Sequence, residues 1–499
     1  MELQFQTNRI PCLRQVKSEV QTQEQTQELR LPESLPDVGR VLCAWGQMVV
    51  RGKEWQSDFM GISGGVMVWV LYAPEDGSPA QCVETWIPMT VKWDLQDGGE
   101  NGRILCHGTV KSVDARVVSG RKLMVRATVG VLGQAFMKDE VATYTPMEMP
   151  EDIRLKEVSH RVTLVGETGE KPFIMDEEMT LPESAPAVDK IIRYSILPEI
   201  TDKKVLGDKA VFRGNTLLHI LYRTPEGTIH AWDFEIPFSQ YTELEQEYGH
   251  EAQVRIVPFV TSMELETGEQ GRIRLKAGLS GQYVIYDTKD IMLVEDAYSP
   301  ERSVTVREAS LEIPVVRELQ NQRIRQEQTA PFGSSRVADV SFQVSCPRQQ
   351  RRPDALAVEV PGNFQTLYYD EDGVLRAAAT NWQSDMTMGL EGDSAMAIFA
   401  TPSGKPTAVP GEETTLLRGE VLLDTVTTAT ESMPAVTALQ LGEAVQKDPH
   451  RPSLILRRAG QEDLWSIAKQ NGSTVEAICN ANSLQGEPDP NQMLLIPIL

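Results

Sequence analysis

Cysteine is scarce in this 499-residue chain: the six stand at 12, 43, 82, 106, 346 and 479. They form no CxxC pair and no dense cluster, which excludes a disulfide scaffold and a structural zinc site and fits a reducing compartment best. Histidine is equally rare, at 107, 160, 219, 230, 250 and 450, and none lies in a His-Glu-x-x-His or similar metal motif. No apolar run approaches the roughly 20 residues of a membrane helix, so no membrane span is expected. Met1 to Val20 lacks a basic start followed by an apolar block and a small-residue cleavage site, so export by the general route is not expected. Basic residues are short as well. Lys plus Arg number 48 against 71 Asp plus Glu, and a net charge of −23 repels the phosphate backbone that dominates nucleic-acid affinity. Nucleic acid is therefore not an expected partner, whereas basic protein surfaces are favoured, with a simply solvated acidic surface as the plainer reading.

What is present is ordinary for a folded protein, with 41% hydrophobic and 24% charged residues. The length exceeds what one core serves, so three or four folding units are expected.

Long-range self-similarity sets the architecture. Leu31-Pro32-Glu33-Ser34 returns as Leu181-Pro182-Glu183-Ser184, an offset of 150 residues. Leu71-Tyr72 recurs as Leu221-Tyr222, and Arg121 to Ala127 (RKLMVRA) as Gly271 to Ala277 (GRIRLKA), at the same offset. Three words in one register point to duplication. A fainter third copy has Leu367-Tyr368-Tyr369 before Asp370-Glu371-Asp372-Gly373.

Within each copy the pattern has period two, which is what a strand with one buried face requires. Thr216 to Tyr222, a Pro225-Glu226-Gly227 turn and Thr228 to Pro237 read as a β-hairpin. Val66 to Tyr72, Pro74 to Gly77 and Val83 to Pro88 repeat it in the first copy, and Leu123, Val125, Ala127 and Val129 mark a further strand facing the core. The fold class is mainly β: tandem antiparallel β domains at 1–150, 151–300 and a divergent 301–440, then a linker at 441–452 and a small βααβ domain at 453–499. A period this long predicts successive domains like beads in a row rather than a solenoid. Val20 to Glu28 suits an exposed strand or a mobile arm equally.

In the last segment the pattern turns helical. Ser453 to Arg458 reads as a strand, and Asp463 caps a helix with Leu464, Ile467 and Ala468 on one face. Ser473 and Glu476 read as a capping box for a second helix with Val475, Ile478 and Cys479 buried, and Met493 to Pro497 closes as a strand.

This segment resembles the LysM domain. The residues that carry the resemblance are Gly460, Leu464 to Ala468, Thr474-Val475 with Ile478, Asn482-x-Leu484 and Ile496-Pro497. The turn Gly460-Gln461-Glu462-Asp463-Leu464 is one residue longer and more acidic than the family pattern, and Leu454 stands where many members have an aromatic. The resemblance implies a groove for N-acetylglucosamine glycans of the peptidoglycan type between Gly460, Gln461, Glu462, Asp463 and Leu464 on one side and Asn482, Leu484, Gln485 and Gly486 on the other. The same groove, made acidic, equally suits a basic protein surface.

Repeats of about 150 residues with Leu-Pro-Glu-Ser words ahead of a terminal LysM resemble the SPOCS-domain proteins of spore-forming Firmicutes, of the SipL and SpoVID type. That resemblance implies a non-enzymatic scaffold of spore coat and envelope assembly. It would sit in the mother-cell cytoplasm at the forespore surface, with spore coat morphogenetic proteins, including a coat-basement ATPase, as partners, and with self-association open.

A LysM-anchored cell-wall hydrolase or a wall-anchored surface protein is the rival, and residues for catalysis are not evident. Cys106-His107 is the pair that suggests a nucleophile, yet neighbours on a strand point to opposite faces and cannot share a proton. Gly166 to Lys171 lacks the full phosphate-loop spacing and reads as a turn. The pairs Glu177-Glu178 and Asp370-Glu371 read as turn residues. Tyr72, Tyr222, Trp86 and Trp232 read as hairpin packing, Trp465 as LysM core packing, and His219 and His230 as ordinary hydrogen-bonded or exposed histidines. No catalytic residue, metal ligand or cofactor is assigned.

Overall fold

A computed structural model describes residues 2–96, 98–268, 271–333, 336–446 and 452–499. The middle of the expected linker, 447–451, and His450 with it lie outside the described residues.

The chain is mainly β, as its period-two patterning requires, and three times over the same plan appears. The first ribbon contains β1 (Glu2–Arg30), β2 (Val38–Trp55), β3 (Phe59–Pro74), β4 (Gln81–Asp94), β5 (Gly102–Ser119) and β6 (Lys122–Pro146). Here β1 pairs antiparallel with β6 from Phe5↔Pro146 to Arg30↔Lys122, so the two ends of the unit close on each other. Between them β2, β3 and β4 form a three-stranded sheet, and β5 adds to β6. The second ribbon contains β7 (Arg154–Thr180), β8 (Lys190–Arg223), β9 (Ile229–Tyr248), β10 (Gln253–Thr267) and β11 (Arg272–Tyr298). β7 closes on β11, β8 pairs β9, and β10 pairs β11. The third contains β12 (Arg302–Ala330), β13 (Arg336–Val344), β14 (Arg348–Arg352), β15 (Ala355–Tyr369), β16 (Leu375–Gly389), β17 (Ala395–Pro410) and β18 (Thr415–Ala444). Again its first strand, β12, closes on its last, β18.

Leu123, Val125, Ala127 and Val129 are fully buried, as their alternation demands. The polar segment 20–28 is a strand, paired from Val20↔Leu132 to Glu28↔Met124. Gly166 to Lys171 and Glu177-Glu178 are not turns: all lie inside β7. The ladder steps from Val165↔Tyr286 to Glu167↔Ile285, leaving Gly166 as the extra residue of a bulge. A Cβ at Gly166 would come 2.8 Å from the Tyr248 ring and one at Gly169 2.5 Å from the Tyr283 hydroxyl. These glycines serve close approach within a strand.

The units are not beads in a row. The sheet order β10-β11-β7-β1-β18-β12 runs through all three, β1 touches β7 at Leu13↔Val165, and Glu2 to Gln4 pair with Gln440 to Ala438 of β18. Leu132 and Phe136 of the first ribbon, Val284 and Tyr286 of the second, and Phe399 and Val426 of the third share one apolar cluster. The physical reason is visible in β6, where alternation up to Val129 gives way to unbroken burial from Val129 to Phe136. That half of the strand has both faces covered, one by its own unit and one by its neighbours.

β18 runs to Ala444, four residues into the stretch read as a linker. The last segment is β19 (Leu454–Arg458), α1 (Leu464–Asn471), α2 (Val475–Asn482) and β20 (Met493–Pro497), with β19 paired to β20. Ile467, Ala468, Ile478, Leu494 and Ile496 fill its core. Asp463 caps α1, accepting from Ser466 N at 2.9 Å. The cap of α2 is Thr474, whose Oγ1 accepts from Ala477 N at 3.1 Å, and not Ser473. Ser473 is instead committed to ending α1. Gly472 is left-handed at φ +61 and Ser473 N donates back to Ala468 O at 2.9 Å, so its backbone closes the end of α1, while its buried hydroxyl has no hydrogen-bond partner.

Candidate functional site

The two loops expected to form a groove are brought together by the short sheet and the two capped helices. Gly460 turns at φ +73, and its N–H donates to Pro490 O at 2.9 Å. Gln461 and Glu462 are exposed, Glu462 pairing with Arg457 and accepting from Gln470. Leu464 is buried, and its N–H donates to Glu487 Oε2 at 2.9 Å. Glu487 therefore ties one loop to the other. It lies one residue past the stretch read from the sequence, and its only signal there is a further acid beside Gly486.

Four of the nine expected residues shape the module. Asp463 is the helix cap and also receives Lys156 Nζ at 3.2 Å; the bonds from Ser466, with Lys156 behind them, hold its carboxyl below the ordinary range. Asn482 acts as a splint, because its amide donates to Leu495 O at 2.7 Å and accepts from Leu495 N at 2.7 Å. Leu464 and Leu484 pack into the core. Gly460, Gln461, Glu462, Gln485 and Gly486 are the exposed members. Glu462, Asp463 and Glu487 place three acids on the two loops.

The opposite side of α1 is joined to the second ribbon. Trp465 Nε1 donates to Asp296 Oδ2 at 2.8 Å, Lys469 Nζ donates to the same carboxylate at 2.7 Å, and the Trp465 ring stands edge-on to Tyr298 at 4.8 Å. Tyr298 also donates to Ser473 O at 3.0 Å and counts among the core of the module. Trp465 thus packs as expected, but across a joint between two parts of the chain.

Cys106 and His107 are both buried. Burial pushes the Cys106 thiol up to about 11 and the His107 imidazole down to about 4, and His107 Nε2 lies 3.1 Å from Ala400 O. Among the described residues no group of three or more His, Cys, Asp or Glu is placed to hold a metal ion, and no helix is long and apolar enough to cross a membrane.

A family model described as SipL, SPOCS domain matches residues 187–267, the span of β8, β9 and β10, and one described as LysM domain matches residues 462–497. The chain joins a SPOCS domain to a LysM domain. Neither family is catalytic; one is sporulation-related and the other is a binding module of the peptidoglycan-binding class. No curated protein and no solved structure matches the chain. The LysM match covers Trp465, the second loop and Glu462 to Leu464 of the first, and begins after Gly460 and Gln461.

Proposed function

We propose that this protein is a non-enzymatic scaffold of spore coat and envelope assembly. Three SPOCS-type units, at about 1–150, 151–300 and 301–440, present protein surfaces, and the LysM module at 453–499 docks the assembly to a peptidoglycan-type glycan. The observation that carries this reading is the pairing of a fixed module with open loops: α1 is clasped to the second unit through Asp296, while Gln461, Gln485 and Gly486 stay exposed. Several weak sites on one body raise local concentration, so assembly at a surface becomes cooperative with no catalysed step. Its place would be the mother-cell side of the forespore surface. The acids Glu462, Asp463 and Glu487 favour a second reading, in which the groove holds a basic face of a coat morphogenetic protein such as the coat-basement ATPase.

The test uses the full chain and its Gly486→Trp variant. A Cβ at Gly486 meets nothing within 4 Å, so the indole blocks the groove without disturbing the core. Wild type is expected to co-sediment with purified peptidoglycan and the variant to lose binding at least about tenfold at an unchanged melting temperature. Retention of the basement ATPase in the same Gly486-dependent way, without glycan binding, would establish the second reading. Release of soluble muropeptides, or indifference of both ligands to the variant, would overturn the proposal.

A further inference from the structure

A cavity of about 560 Å³ lies where the three units meet, lined by β2 and β5 of the first, β8, β9 and β10 of the second, and β13 and β17 of the third. Its walls are largely apolar, with Met48, Leu217, Phe259 and Phe342 among them. Into it project five charged groups that no sequence pattern marked as belonging together: Arg193, His219, Asp233, Asp339 and Lys405.

Their mutual contacts leave specific atoms over. His219 Nδ1 is 2.6 Å from Asp233 Oδ1, and its Nε2 is 3.0 Å from Asp339 Oδ1. Lys405 pairs with Asp233 Oδ2. Arg193, with a side chain only 9% exposed, lies over the Trp45 ring at 4.9 Å and reaches Ser195 Oγ with Nη2 at 3.4 Å. Its Nε and Nη1 have no hydrogen-bond partner, and neither has Asp339 Oδ2, which stands 3.7 Å from Nη1, beyond hydrogen-bond range. A buried guanidinium and a buried carboxylate thus face the same space with two donors and one acceptor unused, which is costly unless something supplies the missing partners.

The charge balance narrows what that is. With His219 held between two carboxylates and therefore protonated, the five groups sum to +1, and the Lys405 charge, paired with Asp233, sits on a side chain 64% exposed. The buried atoms left without partners are cationic on Arg193 and anionic on Asp339, so a ligand carrying both an anionic acceptor and a cationic donor satisfies both, where a plain anion or cation satisfies one. We propose that the cavity binds a small zwitterion of the α-amino-acid class with an apolar side chain, its carboxylate on Arg193 and its ammonium on Asp339. On β17 the ladder with β18 skips from Ser403 to Thr407 around Gly404 at φ +65, and the residues of this irregularity, the largely exposed Lys405 among them, line the cavity. Because the walls come from all three units, the ligand fastens the body together, independently of what the LysM groove holds.

The experiment is a calorimetric and thermal-shift series on the full wild-type chain with L-leucine, L-phenylalanine, L-leucinamide and N-acetyl-L-leucine. Either amino acid at about 10 mM is expected to raise the melting temperature, and the amide and the acetyl derivative, each lacking one charge, to bind at least about tenfold more weakly. Arg193→Gln should abolish binding, and the wild-type ligand series decides the matter even where that variant folds poorly. No binding of either amino acid at that concentration, meaning that the cavity holds only water, would overturn the proposal, as would binding of the amide or the acetyl derivative as tight as that of the parent amino acid.

Discussion

The joints between the three β units and the joint that seats the LysM module are built from the same materials in different surroundings. Between the units, side-chain amides take the place of a neighbouring strand. Gln282 accepts from Cys106 N at 2.8 Å and donates to Cys106 O at 2.7 Å, and Gln47 does the same to Ile196 at 3.0 and 2.8 Å. Arg255, its side chain 4% exposed, donates to Asp424 at 2.8 Å and lies 3.4 Å over the Phe399 ring. The LysM joint runs through Asp296, whose cationic partner Lys469 is 44% exposed, with the Tyr298 hydroxyl on Ser473 O and Lys156 on Asp463 beside it. Water cannot replace a lost partner in the first setting and can in the second, so the body should behave as one cooperative unit and the module as a separable one.

The largest effect tests the body joint. Arg255→Ala removes a buried guanidinium and opens space above Phe399, while Asp424, 24% exposed, keeps some access to water. The change should cost about 2–4 kcal/mol. Denaturant and thermal unfolding should show a single transition moved down as a whole. A loss below about 1 kcal/mol, the range of a surface pair, would break the contrast between the two joints.

A pH titration sharpens the comparison inside the body. Burial alone would push the His219 imidazole down, but Asp339 and then Asp233 outweigh it and carry it up to about 9. A raised folded value means that its contribution is complete below the ordinary value of 6.5 and is lost as pH rises through about 9. Stability should therefore fall by on the order of 2 kcal/mol between those limits, and His219→Gln should flatten that limb. His107, buried with no carboxylate in contact, is pushed down to about 4, so its contribution is present above 6.5 and lost as pH falls toward 4. A profile of wild-type stability that rises between pH 6.5 and 9 would contradict the assignment.

How much of this was legible in the sequence follows from the range of the interactions. The hairpins, the strand through Leu123 to Val129 and the LysM elements follow from local periodicity and capping, and appear where expected. The cap of α2 did not, because Ser473 and Thr474 are both good caps and the choice depends on how α1 ends. The turn assigned to Gly166 failed because a glycine needed for a tyrosine's approach looks, in sequence, like a glycine needed for a turn. The packing of the units was hidden since it depends on which strands are covered on both faces, and the charged cavity was hidden since Arg193, Asp233 and Asp339 are brought together only by that packing. Of the groove, the loop positions were legible. The division of labour within them was not, and Asp463 and Asn482 turn out to hold the module's own structure.

The smallest effect tests the LysM joint. Asp296→Ala removes the acceptor shared by Trp465 and Lys469 and leaves two donors at a partly exposed edge, where water takes them up. The expected loss is about 1–2 kcal/mol of docking, a rise of roughly 5- to 30-fold in the undocked population. Hydrogen exchange at the Trp465 indole and at the α1 amides should quicken by that factor, while the body's melting temperature stays where it was, because Asp296 is a partly exposed position of β11 whose ladder to β7 is made by backbone groups. Tyr298 would still stand edge-on to Trp465, so the module should loosen rather than leave. If Asp296→Ala instead lowered the global transition as Arg255→Ala does, the module would be part of the same cooperative unit. Its groove loops could then no longer be treated as carried on a separable adaptor.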